Sequence, residues 1–371
     1  MVEEISANEK RTFDARQIEI SVEQKNVDFL LYKLEYDLDA LEQDLGVNSE
    51  EGIIDLNTEF QRSADLWSPT RMSRLIESIL IRFPLPAFYF DTAIKTRWQV
   101  IDGLQRLSTL RKFVLDSKNP LKLRDLEFLP QLNGITYKEL PEAMKRTLKN
   151  AQVVLYLIRP GTPKQVKYRL FERINTGGMQ LNYQEIRHAI NQGISANYVK
   201  ELANIPAFTT NIKISSRRML DRELALRFLA FKFKHYQRYS SPFYEFLDGA
   251  MEEIAKITQN DRDVLREDFS TALLISKEVF GNHLFSRNII DNSRYQFNKS
   301  LFEVWTVLIS ELSNQQQKTL VARKEVLIGD FKALFKDVDF EKAITRSTAD
   351  KNSVLTRFEK IAEIIQKVLQ G

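Results

Sequence analysis

Residues 98–110 combine side chains and spacing suited to holding phosphate. They read Trp98-Gln99-Val100-Ile101-Asp102-Gly103-Leu104-Gln105-Arg106-Leu107-Ser108-Thr109-Leu110. The pattern predicts a strand, a tight glycine turn and a helix start. A helix N-terminus leaves backbone N–H groups free and carries partial positive charge. Gly103 lets the backbone approach a ligand closely. Arg106 adds a forked cation, and Gln105, Ser108 and Thr109 add polar side chains. This is the composition of an anion pocket, most economically a phosphate pocket. Asp102, at the strand end, is suited to hold a magnesium ion or to orient water. A plainer arrangement fits the same residues: Asp102 caps the helix and Arg106 pairs locally. As a pocket residue Arg106 is expected to be exposed.

The surrounding elements must position this turn. β-Rich runs at 18–22, 52–56, 87–91, 97–102 and 153–158 predict strands sharing one small mixed sheet. Apolar residues at helical spacing predict helices over 27–45, 69–82 and about 107–115. Helices are also predicted over 164–174 and from Asn182, a capping residue, to Ile190. After about residue 195 the apolar period is helical throughout. The expected architecture is α+β: a sheet-bearing domain over 17–190 and an all-helical domain over 191–371, behind a disordered acidic leader over 1–16.

Charge follows the same division. Residues 1–50 hold 5 Lys+Arg against 13 Asp+Glu, a balance of −8. The rest holds 49 against 37, a balance of +12. Residues 143–187 carry nine basic and two acidic side chains, and 191–240 carry nine and three. Such a body suits phosphates, in a nucleotide or in DNA, although solvated helix faces give the same count. Ser215-Ser216-Arg217-Arg218 reads as a DNA-backbone contact or as a solvated loop. The aromatic residues over 228–246 read as helical core.

Other chemistries are excluded by composition. With no cysteine there are no disulfides, iron–sulfur clusters, cysteine zinc sites or thiol nucleophiles. His188, His235 and His283 lack metal-ligand spacing. No apolar stretch is long enough to span a membrane and the start is polar, so a cytoplasmic protein is expected.

The sequence IDGLQRLSTL resembles the Asp-Gly-Gln-Gln-Arg signature of the bacterial family typified by the N-terminal part of GmrSD restriction enzymes. Leu56-Asn57-Thr58-Glu59-Phe60-Gln61-Arg62 resembles that family's early Phe-Gln-Arg box. Residues 73–80 with Pro84-Leu85-Pro86 resemble its helix-plus-proline entry to the central strand. Residues 171–182, with Asn175-Thr176-Gly177-Gly178 at their centre, resemble its Asn-Thr-Gly box. Residues 221–228 and 294–302 resemble its helical signatures. Leu104 departs from the pattern, standing where the family has its first glutamine.

The resemblance implies a ParB/sulfiredoxin-like fold, nucleoside triphosphate binding and hydrolysis with Mg²⁺, and a role in restriction of foreign DNA or anti-phage defence. Mapped onto this sequence, it implies Gly103 to Arg106 at the nucleotide phosphates. Gln61, Arg62 and Asn175 are the further candidates for that enclosure. Asp102 and Arg106 are the candidate catalytic pair, with Asp102 as metal ligand. Family members often add a His-Asn-His nuclease domain. After residue 240 only His283 is present, so cleavage is expected to belong to a separate partner chain. A different class of function also fits: a non-enzymatic DNA-binding or adaptor protein of ParB-like fold. A nuclease in its own right fits less well, because acidic clusters and histidines are scarce.

Overall fold

The computed structural model describes residues 19–35, 52–56, 67–174, 182–214, 216–240, 242–291 and 293–371. It divides into two compact units, Met1–Leu181 and Asn182–Gly371.

The first unit holds a five-stranded mixed sheet. Its strands are β1 (Ile20–Asn26), β2 (Ile53–Asp55), β3 (Phe88–Ile94), β4 (Arg97–Asp102) and β5 (Gln152–Ile158). The order across the sheet is β1-β5-β3-β4-β2. β1 runs antiparallel to β5 and β3 antiparallel to β4, while β3–β5 and β2–β4 are parallel. All five expected strands therefore share one mixed sheet, and the fold is α+β.

Period-two alternation decides which face is buried. Phe88, Phe90, Val100, Val153, Leu155 and Leu157 point into an apolar core. Helices α1 (Val27–Glu35), α2 (Pro69–Leu80) and α3 (Leu104–Val114) close that core through Leu30, Leu34, Ile76, Ile79, Leu107 and Leu110. α4 (Glu142–Asn150), which the sequence reading did not pick out, adds Leu148. Ser68 caps α2, accepting from the Arg71 N–H, and Pro69 takes the first helical position, where a missing N–H costs nothing. α5 (Lys164–Ile174) follows β5. The expected leader, and the helix beyond Glu35, lie outside the described residues. α3 starts three residues earlier than its apolar period suggested, because Gly103 serves as its N-cap.

In the second unit the described elements are helical, with one isolated β-bridge between Ser286 and Phe297. Tyr183–Ile190 opens it under a capping box from Asn182 and Glu185. The long helix Gln259–Phe280 packs on Lys299–Ser310, where Phe269 meets Phe302 edge to face at 6.2 Å. This core also contains charge. Glu303 and Arg357 are both fully buried and hydrogen-bonded to each other. Arg227 donates to Glu303 at 2.8 Å and to Glu223 at 2.9 Å, and Lys299 approaches Glu223 at 3.1 Å.

Candidate functional site: the Gly103 turn and the outer face of the sheet

The turn forms as its residue types predict. Gly103 has φ 102°, in the left-handed region. A Cβ there would stand 2.4 Å from Cδ1 of the buried Phe88, so the position excludes a side chain on steric as well as conformational grounds. No side chain caps α3. The first amides of the helix are thus left to a ligand or water.

A β-bulge aims Asp102. Tyr89 pairs with Asp102, but the next residue, Phe90, pairs with Val100, so Ile101 is the extra residue on β4. Bulges re-aim side chains in this way. Register then places Val22, Tyr156, Tyr89 and Asp102 side by side across β1, β5, β3 and β4, on the face away from the core. A second row on that face runs Ile158, Asp91, Gln99 and Asp55. Asp91 is bonded to Lys167 of α5 at 2.6 Å, with both side chains nearly buried. Asp55 accepts from Arg97 Nε at 2.9 Å. Gln99 Nε2, between these two aspartates in the register, is buried without a partner in the structure.

Arg106 is placed differently from expectation. It is 7% exposed, not an open pocket residue. Its guanidinium donates to the Pro86 carbonyl, to the Ala87 carbonyl at 3.0 Å and to Asp102 Oδ2 at 2.8 Å. It also lies 4.4 Å over the Phe88 ring. The local Arg106–Asp102 pairing therefore exists, and it is joined to two backbone carbonyls of the segment entering β3. Three N–H donors are engaged. A guanidinium has five, so Nε–H and one Nη1–H are left for a further acceptor. Burial pulls the Arg106 pKa below its ordinary value while Asp102 pushes it back up. Burial likewise raises the Tyr89 hydroxyl, helped by Tyr156 and then Asp102, with Arg106 opposing.

The other expected residues separate into groups. Asp102 is about one-third exposed, and only its Oδ2 is taken by Arg106. Gln105 is half-buried and its Oε1 accepts from the Trp67 N–H at 3.2 Å. Ser108 is half-buried one turn into the helix. Thr109 is fully buried and its hydroxyl is engaged within the helix, donating to the Gln105 carbonyl at 2.7 Å. Leu104 packs into the apolar core, so leucine suits the place it occupies. Gln61, Arg62 and Asn175 lie outside the described residues. Arg173 is exposed near the end of α5. In the second unit Arg218 pairs with Glu185 at 3.0 Å, and Ser215 lies outside the described residues. His283 Nδ1 is 3.2 Å from Asn288 Oδ1.

Sequence reasoning missed several members of this site. Arg71 lies 4.4 Å over the Trp67 ring, beside the Gln105 contact, and brings a second cation near the α3 start. Tyr89 and Tyr156 stack at 4.7 Å with planes 10° apart. Alternation in FYFDTAI and QVVLYLI was the available signal for the tyrosines, since it puts both on the non-core face. Among the described residues no group of three His, Cys, Asp or Glu side chains is arranged to hold a metal by itself. A single carboxylate does fit magnesium shared with phosphate oxygens and waters.

The architecture defines an α+β module with an uncapped glycine turn between strand and helix. Residues 43–191 match the family described as GmrSD restriction endonuclease, N-terminal domain. The match places this stretch in a restriction-system context. Residues 221–228 and 294–302, which resemble helical signatures of the family, lie beyond the matched span. No match to a curated protein or to a solved structure was found. No helix of the described residues is long and apolar enough to cross a membrane.

Proposed function

We propose that the Gly103 turn binds the phosphate chain of a nucleoside triphosphate, and that the chain serves a cytoplasmic DNA-restriction or anti-phage system as a nucleotide-hydrolysing module. The observation that supports this best is the uncapped start of α3 behind a left-handed glycine, with Asp102 offering one unengaged carboxylate oxygen. The amides of Leu104, Gln105 and Arg106 bind phosphate oxygens. Arg106 holds the turn against Pro86 and Ala87 and offers its remaining N–H groups to developing charge. Asp102 orients a water toward the terminal phosphorus. That water's oxygen bonds to phosphorus as the bridging P–O bond breaks, its proton passes to a phosphate oxygen, and the nucleoside diphosphate leaves. Asp102 would hold magnesium together with phosphate oxygens, and the ion would supply charge neutralisation. Gln61, Arg62 and Asn175 complete the enclosure in this reading, Ser108 stands behind it, and Thr109 contributes only to the helix.

The reading includes DNA as the system's target and a separate nuclease chain as the cutting partner. A purely DNA-binding adaptor draws its support from the basic stretches, and part of that charge is spent inside the molecule. Lys167 is bonded to Asp91, Arg187 to Asp248, and Arg227 to Glu223 and Glu303. The test is a panel of four ribonucleoside triphosphates with magnesium, scored for thermal stabilisation and phosphate release. A ligand bound only by the folded state raises the melting temperature. Stabilisation by at least one triphosphate, with phosphate release, is expected. No stabilisation by any of the four overturns the reading.

A further inference from the structure

We propose that the Tyr89–Tyr156 pair is the stacking platform for the base of that nucleotide. This rests on the phosphate reading of the Gly103 turn and adds where the base goes. The two rings stand on neighbouring parallel strands, paired Tyr89 to Tyr156, and stack face to face at 4.7 Å. They form a short ladder that a third planar ring extends. The register neighbour beyond Tyr89 is Asp102, which directly precedes Gly103. A base laid on the β4 side of Tyr89 therefore sits over the residue that leads into the phosphate turn.

Among the described residues the β1–β5 side of this face is open. Val154 is 37% exposed, and Val22, beside Tyr156 in the register, is 60% exposed. Both tyrosines are half-buried, on the opposite side from the apolar core. The core keeps Phe88 and Phe90 for itself. Half-buried tyrosines on the outer face of a sheet are thus not needed to close the core, and aromatic rings on a sheet surface are a recurring base-stacking device.

Register chooses between a free nucleotide and a nucleic-acid strand. The row ends in Asp102, which leads into the phosphate turn, and in the phosphate reading its second oxygen already serves water and magnesium there. Tyr89 and Tyr156 stack on each other, so the ladder offers one ring face on the β4 side of Tyr89, which seats one base. The occupant is accordingly a single nucleoside triphosphate.

The experiment compares inorganic tripolyphosphate, the ribonucleoside triphosphates, the corresponding free nucleosides and a single-stranded DNA oligonucleotide. Each is titrated against the wild-type chain and the Tyr89→Ala, Tyr89→Phe and Tyr89→Val variants. Stacking on an aromatic side chain is worth about 1–3 kcal/mol per base by alanine substitution, so Tyr89→Ala should weaken triphosphate affinity roughly tenfold. Tyr89→Phe should keep it, and tripolyphosphate affinity should be the same in all four proteins. Tyr89→Val keeps strand propensity and takes the place of the alanine variant should that one fail to fold. Wild-type affinity for the triphosphate in the alanine or valine variant overturns the platform. Loss confined to the oligonucleotide overturns the choice of occupant. Tripolyphosphate failing to bind, while a nucleoside binds in a Tyr89-dependent way, sinks the phosphate reading and leaves the platform standing. A wild-type chain that binds neither nucleoside nor triphosphate overturns the platform along with the phosphate reading.

Discussion

Two arginine clusters, one in each unit, show opposite uses of charge. In the helical unit Arg357 and Glu303 are both fully buried, and Arg227 binds the second oxygen of the same glutamate. That cluster is closed on itself. In the sheet unit Arg106 is nearly buried, but its partner Asp102 is about one-third exposed and keeps an oxygen unengaged. The closed cluster pairs its charges without a ligand, although Arg357 Nε is buried without a partner among the described residues. The open one holds a turn in place and leaves donors and an acceptor at its edge. Buried charges alone are weak evidence of function. A cluster that is satisfied on the protein side and unfinished on the solvent side is stronger evidence.

The largest expected effect breaks the closed cluster. Glu303→Ala leaves Arg357 and Arg227 without their shared anion. Removing one partner of a buried ion pair costs about 3–5 kcal/mol. Thermal unfolding followed by circular dichroism should show a large fall in melting temperature, with triphosphate binding retained at temperatures where the variant is folded. A Glu303→Ala protein as stable as the wild type would mean the cluster is not a unit.

Arg106→Ala tests the open cluster and should affect two properties. The Pro86 and Ala87 carbonyls and the Asp102 carboxylate lose their donor. Hydrogen bonds to charged groups are worth about 1.5–3 kcal/mol, so stability should fall by about that much. Phosphate affinity should fall roughly tenfold to a hundredfold. Loss of stability with unchanged triphosphate binding would make Arg106 a purely structural residue. Gly103→Ala should cost a comparable amount, about 1–3 kcal/mol from strain at a positive φ, to which a Cβ pressed on Phe88 adds. A variant that melts like the wild type would contradict the steric account of the turn.

The parts of this comparison differed in how legible they were in the sequence. The five strands and the Gly103 turn were readable because they depend on local period and residue type. The termini of α5 and of Tyr183–Ile190 were readable for the same reason. The bulge at Ile101 was not, because it appears only when β4 is paired with β3. The partners of Arg106 were hidden as well. Pro86 and Ala87 lie about twenty residues away, and nothing in DGLQR announces a carbonyl acceptor. Tyr89 and Tyr156 are 67 positions apart and meet through the parallel β3–β5 register, which no local pattern specifies. The basic excess misled in part, since composition does not distinguish an exposed lysine from Lys167, held nearly buried by Asp91.

The smallest expected effect concerns pH and contrasts exposed carboxylates with buried ones. In the sheet unit Glu139 and Glu142 are exposed, and hydrogen bonds from Thr136 and Lys145 hold them below the ordinary glutamate range. In the helical unit burial raises Glu185, Asp221 and Glu311 above theirs. A carboxyl whose pKa is raised in the folded state binds its proton more tightly there than in the unfolded chain. Its contribution to stability is then complete below the ordinary value, 4.5 for glutamate, and is lost as pH rises through the folded value. Glu185 offers the clearest case, because its carboxylate closes the capping box by accepting the Asn182 N–H at 2.7 Å. Glutamine fills the same capping position without titrating. Melting temperatures measured from pH 4 to 7 should therefore decline less steeply with rising pH in Glu185→Gln than in the wild type. Equal slopes would show that the bond to Asn182 and the pairing with Arg218 cancel the burial of Glu185.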